Sequence, residues 1–100
     1  MVDVSRLPEH MRRAAELWAE QGLPHPLLLG GFMRAVLTND LIGAFAHADE
    51  TNTRAMKDWT MWLYNDAPSP CHGSAERLDA WHERHERARR AREDENAETD

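Results

Sequence analysis

Four tryptophans in a chain of 100 residues, Trp18, Trp59, Trp62 and Trp81, narrow what this sequence can fold into. Each ring brings roughly 150–250 Å² of largely apolar surface that has to be covered, and in so short a chain those rings dominate the core or an interface. All four fall in segments whose apolar residues recur at helical spacing. Met11, Ala14, Ala15 and Trp18 form one stripe. Met56, Trp59, Trp62 and Leu63, with Ala55 beside them, form a second, and Leu78, Trp81 and His85 begin a third. No segment alternates as a strand over a useful length, and no internal repeat is present. The expected fold class is all-α, a compact bundle of three to four helices with a frayed, charged C-terminal extension.

Proline and glycine set the boundaries. A first helix is expected from Pro8, which suits a first helical position because it has no N–H to leave unpaired, to Gln21. Gly22 follows as its stop. Pro24 and Pro26 keep residues 23–29 out of regular helix. A second helix opens near Gly30 or Gly31 and runs to about Ala48, with Phe32, Val36, Leu37, Leu41, Ala44, Phe45 and Ala48 on one face. Thr38-Asn39-Asp40 interrupts it with three residues that favour caps over helix interiors. A continuous, distorted helix is the expectation, with a break as the alternative. A third helix spans Thr51 to Asn65, capped by Asp49 or Thr51 and stopped by Pro68 and Pro70; a fourth starts after Ser74. Beyond His85 its pattern is polar all round, braced by Glu83–Arg87 and Glu86–Arg90 spacings. The chain thus divides into a helical domain, residues 1–82, and a charged extension with an acidic tail, residues 83–100.

Cys71 is the single cysteine, so no internal disulfide forms, which fits a reducing compartment. Neither a secretion signal nor an apolar run of the ~20 residues needed to cross a bilayer is present, and a cytoplasmic protein is expected. The net charge is −6, and Glu93, Asp94, Glu95, Glu98 and Asp100 supply five of those negative charges. Double-stranded nucleic acid is therefore not an expected partner, because binding its backbone needs local positive charge. Apolar faces on three helices point to a homo-oligomer, most simply a dimer.

Several groups invite a functional reading, each with a plainer one beside it. Gly30-Gly31-Phe32 opens a helix where free N–H groups can meet an anion, but two glycines without a Walker lysine or flanking strand are equally a tight turn. Asp40, Gly43 and His47 share a helix face, where Gly43 makes room for a ligand, for another helix, or for a capped break at Asn39-Asp40. Tyr64 offers a ring for stacking, whereas Asn65 and Asp66 suit a helix end. Cys71, His72, His82 and His85 are metal-ligand types, but one cysteine and no Cys-x-x-Cys element make no metal site, and a surface helix explains them. Arg87, Arg89, Arg90 and Arg92 are flanked by acids and read as a solvated face. A His47–Asp40 dyad would lack a nucleophile, and no enzyme constellation is visible. No cofactor is implied.

The stretch Gly31-Phe32-Met33-Arg34-Ala35-Val36-Leu37-Thr38-Asn39-Asp40-Leu41, with Ala48-Asp49, Asn52 and Trp62-Leu63-Tyr64-Asn65-Asp66-Ala67-Pro68, resembles a family of small proteins of phages, prophages and other bacterial mobile elements. That family reads Gly-Phe-Leu-x-Ala-Val-Leu-x-Asn-Asp-Leu, then Ala-Asp, Leu-Tyr-Asn-x-x-Pro, Cys-Trp-Gly-Ser and a final tryptophan. Here Cys71-His72-Gly73-Ser74 puts His72 where the family has tryptophan, and Trp81 fits the last position. The resemblance covers roughly residues 8–82. It implies a small binding protein that counters host defence. One route is sequestration of a small signalling nucleotide in a pocket between protomers, with Gly31, Arg34, Asn39, Asp40, Tyr64 and Asn65 as candidate contacts to phosphate, ribose and base. The alternative is an interaction module that inhibits a host protein, its acidic tail occupying a basic groove. A structural protein of the mobile element is a third.

Overall fold

An α-helix ends with carbonyls that have no partner within the helix. Here Trp18 O and Gln21 O of the first helix, and the Gly22 O that follows it, accept from side chains of the last one. The computed structural model describes residues 1–98, with side chains through Asn96. Helix α1, Glu9–Gln21, ends at Gly22 in the left-handed conformation, with the Gly22 N–H bonded to Trp18 O. The indole N–H of Trp81 donates to the same Trp18 oxygen at 2.9 Å. The next residue, His82, donates from Nδ1–H to Gly22 O at 2.8 Å, and about two turns further along Arg89 donates to Gln21 O at 2.8 Å. Helix α6, Ala75–Glu98, thus closes the C-terminus of α1 with side chains on one of its faces.

Between these two lie four shorter helices: α2, Gly31–Leu37; α3, Leu41–His47; α4, Glu50–Arg54; and α5, Met56–Asn65. Single 3-10 turns at Pro26–Leu28 and Ser69–Cys71 complete the described secondary structure, which has no strand. The all-α class holds, and each of the second and third expected helices is in fact two. Pro8 stands just before α1 rather than inside it.

The break in the second helix corrects the expectation of a continuous one. Asn39 takes φ +65°, and the corner closes with Asn39 N–H on Val36 O and Asp40 N–H on Ala35 O. This is the paired hydrogen-bond pattern of a Schellman stop, with asparagine in the place glycine usually holds. Asp40 then turns its carboxylate onto the Gly43 N–H at 2.9 Å and starts α3. At Ala55 the chain shifts again, after Asp49 has capped α4 through the Asn52 N–H.

The core joins Leu7, Trp18, Phe32, Met33, Leu37, Trp59, Trp62, Cys71, Leu78 and Trp81. Phe32, Trp59 and Trp62 meet edge to face, at centroid distances of 5.3 and 5.9 Å. Burying an indole leaves one donor to satisfy, and every tryptophan does so across a fold-defining contact. Trp18 donates to Cys71 O at 2.8 Å, Trp59 to Asn52 Oδ1 at 3.0 Å and Trp62 to Asp3 O at 2.9 Å, beside the Trp81 bond already described. Asn52, only 3% exposed, is the buried polar residue that this arrangement requires. Ala14, expected on the inner stripe of α1, is exposed, and Ala19 takes its place. Among the described residues no helix is long and apolar enough to cross a membrane.

Helix α6 outruns the bundle, and the molecule measures 51 Å along one axis against 25 and 20 Å across. The helix continues through Glu93, Asp94 and Glu95 to Glu98, so helical backbone reaches further into the acidic tail than the residue pattern indicates. Thr99 and Asp100 lie outside the described residues. Arg89 is not simply a solvated arginine: besides Gln21 O it grips Glu86 with two of its nitrogens.

Two predictions follow from this frame. Trp81→Phe removes the indole donor, while Trp18 O keeps its bond from the Gly22 N–H. The loss of that one hydrogen bond should cost about 0.5–1.5 kcal/mol, to be read from urea unfolding followed by circular dichroism. The second concerns pH. His85 has its Nε2 buried without a partner and its ring against Trp81, at 4.6 Å between centroids. Burial, then Arg89, Arg84 and Arg92 and finally His82 push its pKa below 6.5. His72 is pushed the same way, by burial and then Arg77. Both rings bind a proton more readily in the unfolded chain, so stability is at its full value above pH ~6.5 and falls as the pH drops below it. His85→Phe should flatten that fall in pH-dependent unfolding.

Candidate functional site

The six residues singled out from the sequence do not converge on one site within the chain. Gly31 starts α2 under the ring of His47: a Cβ there would stand 2.6 Å from His47 Cδ2. The glycine therefore admits an imidazole, which is held by its Nδ1–H on Gly43 O at 2.9 Å. Around it lies a small depression of about 270 Å³, where His10 pairs with Asp49 at 3.0 Å. The Asn52 N–H, and after it His10, hold the Asp49 carboxyl below its ordinary range.

Arg34 lies elsewhere. It faces a groove of about 500 Å³ between the Pro26–Leu28 turn and α6, where it donates to Pro26 O at 3.3 Å among Glu83, Glu86, Arg87 and Arg90. Asp40 is occupied as the cap of α3. Gly43 serves that cap, since a Cβ there would come within 2.2 Å of Asp40 Oδ2. His47 and Asp40 form no dyad, because each bonds separately to the backbone of Gly43.

Asn39 and Tyr64 do come together. They line an open groove of about 570 Å³ between the α2–α3 corner, α5 and the start of α6. The walls are completed by Thr60, Leu63, Ala67, Ser69, His72, Gly73 and Arg77. Its size falls in the usual range of ~300–1,000 Å³ for small-molecule sites. Tyr64 is 84% exposed, a large fraction for an aromatic on a helix whose neighbours Trp59 and Trp62 are fully buried. Arg77 touches His72 O at 3.4 Å and pairs with no carboxylate among the described residues. His72 lines the groove with its Nε2 buried and unpartnered. Asn65, next to Tyr64 in the chain, is exposed but is not part of the groove wall. Asp66 closes the end of α5 and pairs with Arg6 at 2.7 Å.

Arg77, His72, Thr60 and Ser69 are the groove residues that sequence spacing does not reveal. The Ser69–Cys71 turn and the Gly73 N–H on Leu37 O, at 2.7 Å, fold the start of α6 back beside α2 and α5. Nothing local in the sequence encodes that return. Cys71, considered as a thiol ligand, is fully buried, and burial pushes its pKa up to about 12. Among the described residues no group of three or more His, Cys, Asp or Glu side chains is placed to hold a metal ion. The chain matches no family model, no curated protein and no solved structure.

The geometry separates two roles for Asn39. As a left-handed helix stop it is replaceable by glycine; as a groove wall it is not. Asn39→Gly should keep stability or raise it slightly, while Asn39→Ala should cost about 1 kcal/mol or more for the left-handed backbone. Thermal unfolding of the two variants checks this. Equal loss in both would mean that the side chain, rather than the backbone angle, holds the corner.

Proposed function

We propose that this chain is a small phage- or mobile-element-encoded binding protein that counters host defence by sequestering a nucleotide-sized anion in the groove at Tyr64. One observation carries the reading: an exposed aromatic face, a cation without a carboxylate partner and several uncharged polar groups line a single groove of ligand size. A base would stack on the Tyr64 ring, where such stacking contributes about 1–3 kcal/mol per base. Arg77 would take a phosphate in charge-assisted hydrogen bonds. Thr60, Ser69 and Asn39 offer hydroxyl and amide groups for sugar and base edges. These groups suit binding, with no bond made or broken. The family resemblance supports the setting, a mobile element acting inside a bacterial host.

The alternative, an interaction module that inhibits a host protein, is favoured by a different observation. Helix α3 leaves Leu41, Ile42 and Phe45 exposed, which suits a protein partner better than a small molecule.

Native mass spectrometry after incubation with lysate from infected, defence-active bacteria decides between them. The expected result is a nucleotide-sized adduct on the wild type, weakened about tenfold or more by Tyr64→Ala and by Arg77→Ala. Arg34→Ala, which alters the separate groove beside the Pro26–Leu28 turn, should leave it unchanged. A protein-sized adduct on the wild type would sink the sequestration reading in favour of the interaction module.

A further inference from the structure

Arg77 lacks the sequence neighbours that neutralise other helical arginines of this chain. Arg13 pairs with Glu16, Arg54 with Glu50, Arg87 with Glu83 and Arg89 with Glu86, each three or four residues away. Around Arg77 those places hold Gly73, Ser74, Ala80 and Trp81. Its nearest acids in the chain, Glu76 and Asp79, stand one and two residues away, at positions that do not face it on a helix. The guanidinium folds back over the start of α6 instead, where Nη1 reaches His72 O at 3.4 Å. Gly73 leaves room for it: a Cβ there would stand 3.1 Å from Arg77 Cδ and 3.2 Å from Nη1, closer than side chains normally pack. Local sequence therefore keeps this cation without a carboxylate and holds it at the groove wall.

The groove that Arg77 lines contains no acid. Carboxylates do line the other two depressions described: Asp79, Glu83 and Glu86 beside the Pro26–Leu28 turn, and Asp49 in the one at Gly31. His72 adds no second cation near neutral pH, because burial and then Arg77 push its pKa below 6.5. The groove thus offers a nucleotide one positive charge, one exposed ring and no negative charge. We infer that its occupant is a mononucleotide carrying a single phosphate, either terminal or closed into a cyclic ester. This rests on the groove being the nucleotide site, and it narrows the class of nucleotide that the site takes.

The count of phosphates follows from charge. A guanidinium presents two parallel N–H groups to two oxygens of one phosphate. A second or third phosphate would meet no cation in the groove, and it would lie against a chain whose net charge is −6. Repulsion from that surface counts against each added phosphate, most strongly at low salt. The count of bases follows from the wall. Tyr64 is the chain's single tyrosine, and no tryptophan or phenylalanine lines the groove beside it. Single-stranded nucleic acid is a poorer match, because proteins that hold it combine a basic track with a succession of stacking rings, and here each element occurs once.

Isothermal titration calorimetry on the full chain tests this. The probes are the ribonucleoside 5′-monophosphates, their 3′,5′-cyclic esters, the parent nucleosides, the triphosphates and a short single-stranded RNA. At least one of the one-phosphate ligands is expected to bind about tenfold or more tighter than its own nucleoside and its own triphosphate. Comparison of the monophosphate with the cyclic ester tells which form of phosphate the groove takes. Arg77→Gln should lower that ligand to the affinity of the nucleoside while leaving the nucleoside's own affinity unchanged, a split that loss of the fold would not produce. A triphosphate or the RNA bound as tightly as the one-phosphate ligand, or equal weakening of nucleoside and nucleotide by Arg77→Gln, overturns the inference. Failure of the groove reading would look different: no probe would bind, or binding would survive Tyr64→Ala, and both readings would then fall. If only the single-phosphate inference fails, the triphosphate binds tightly and Tyr64→Ala still weakens it.

Discussion

The carbonyl oxygen of Trp18 accepts two hydrogen bonds, one from the Gly22 N–H that ends its own helix and one from the indole of Trp81 on α6. Around that atom the first and last helices of the chain are joined. The Trp18 indole in turn donates to Cys71 O, in the turn that leads into α6. A small core gains little from area alone. What makes this one specific is that burying each ring also buries an N–H, which only one arrangement of backbone and Asn52 satisfies. The cost of misplacing any ring therefore includes an unmade hydrogen bond as well as lost burial.

This frame accounts for residues that look functional on paper. His82 and Arg89 hold the carbonyls of Gly22 and Gln21, and His85 packs over Gly22 and Trp81. A helix that seems from its composition to be only a solvated, charged rod is tied along several turns to the bundle. Asp49 caps α4 through the Asn52 N–H, and Asn52 receives the Trp59 indole. With those polar groups committed to structure, Tyr64 and Arg77 stand out as side chains the fold does not need where they are.

The parts of this fold legible in the sequence are those governed by local chemistry. Trp18, Trp59, Trp62, Leu78 and Trp81 lie inside as their helical spacing predicts; Gly22, Asp49 and Ser74 cap the ends they were assigned. The corner at Asn39 was visible as a conflict but not as an outcome. Apolar periodicity ran straight through it, and only the Schellman bonds to Ala35 and Val36, with the Asp40 cap, decide for a break. The candidate site was half legible. Asn39 and Tyr64 line one groove, while Gly31 and Arg34 end in other depressions of the chain. Arg77 and His72 join the groove through tertiary folding of the Ser69–Cys71 turn, which no spacing rule anticipates. Leu41 and Phe45 were placed on the inner face for the same reason that the corner was missed, since their direction depends on one left-handed asparagine.

Hydrogen exchange of the tryptophan indole N–H groups, followed by ¹H–¹⁵N NMR, probes the central claim most directly. If the four indoles are the donors that lock the helices together, all four should exchange slowly, at rates approaching that of global unfolding. Trp18 and Trp81 should be protected together, because the Trp81 indole donates to the backbone oxygen of Trp18 and the Trp18 indole donates to Cys71 O in the turn that leads into α6. Rapid exchange at Trp81 while the others stay protected would contradict the account, and would mean that α6 is not fastened to α1.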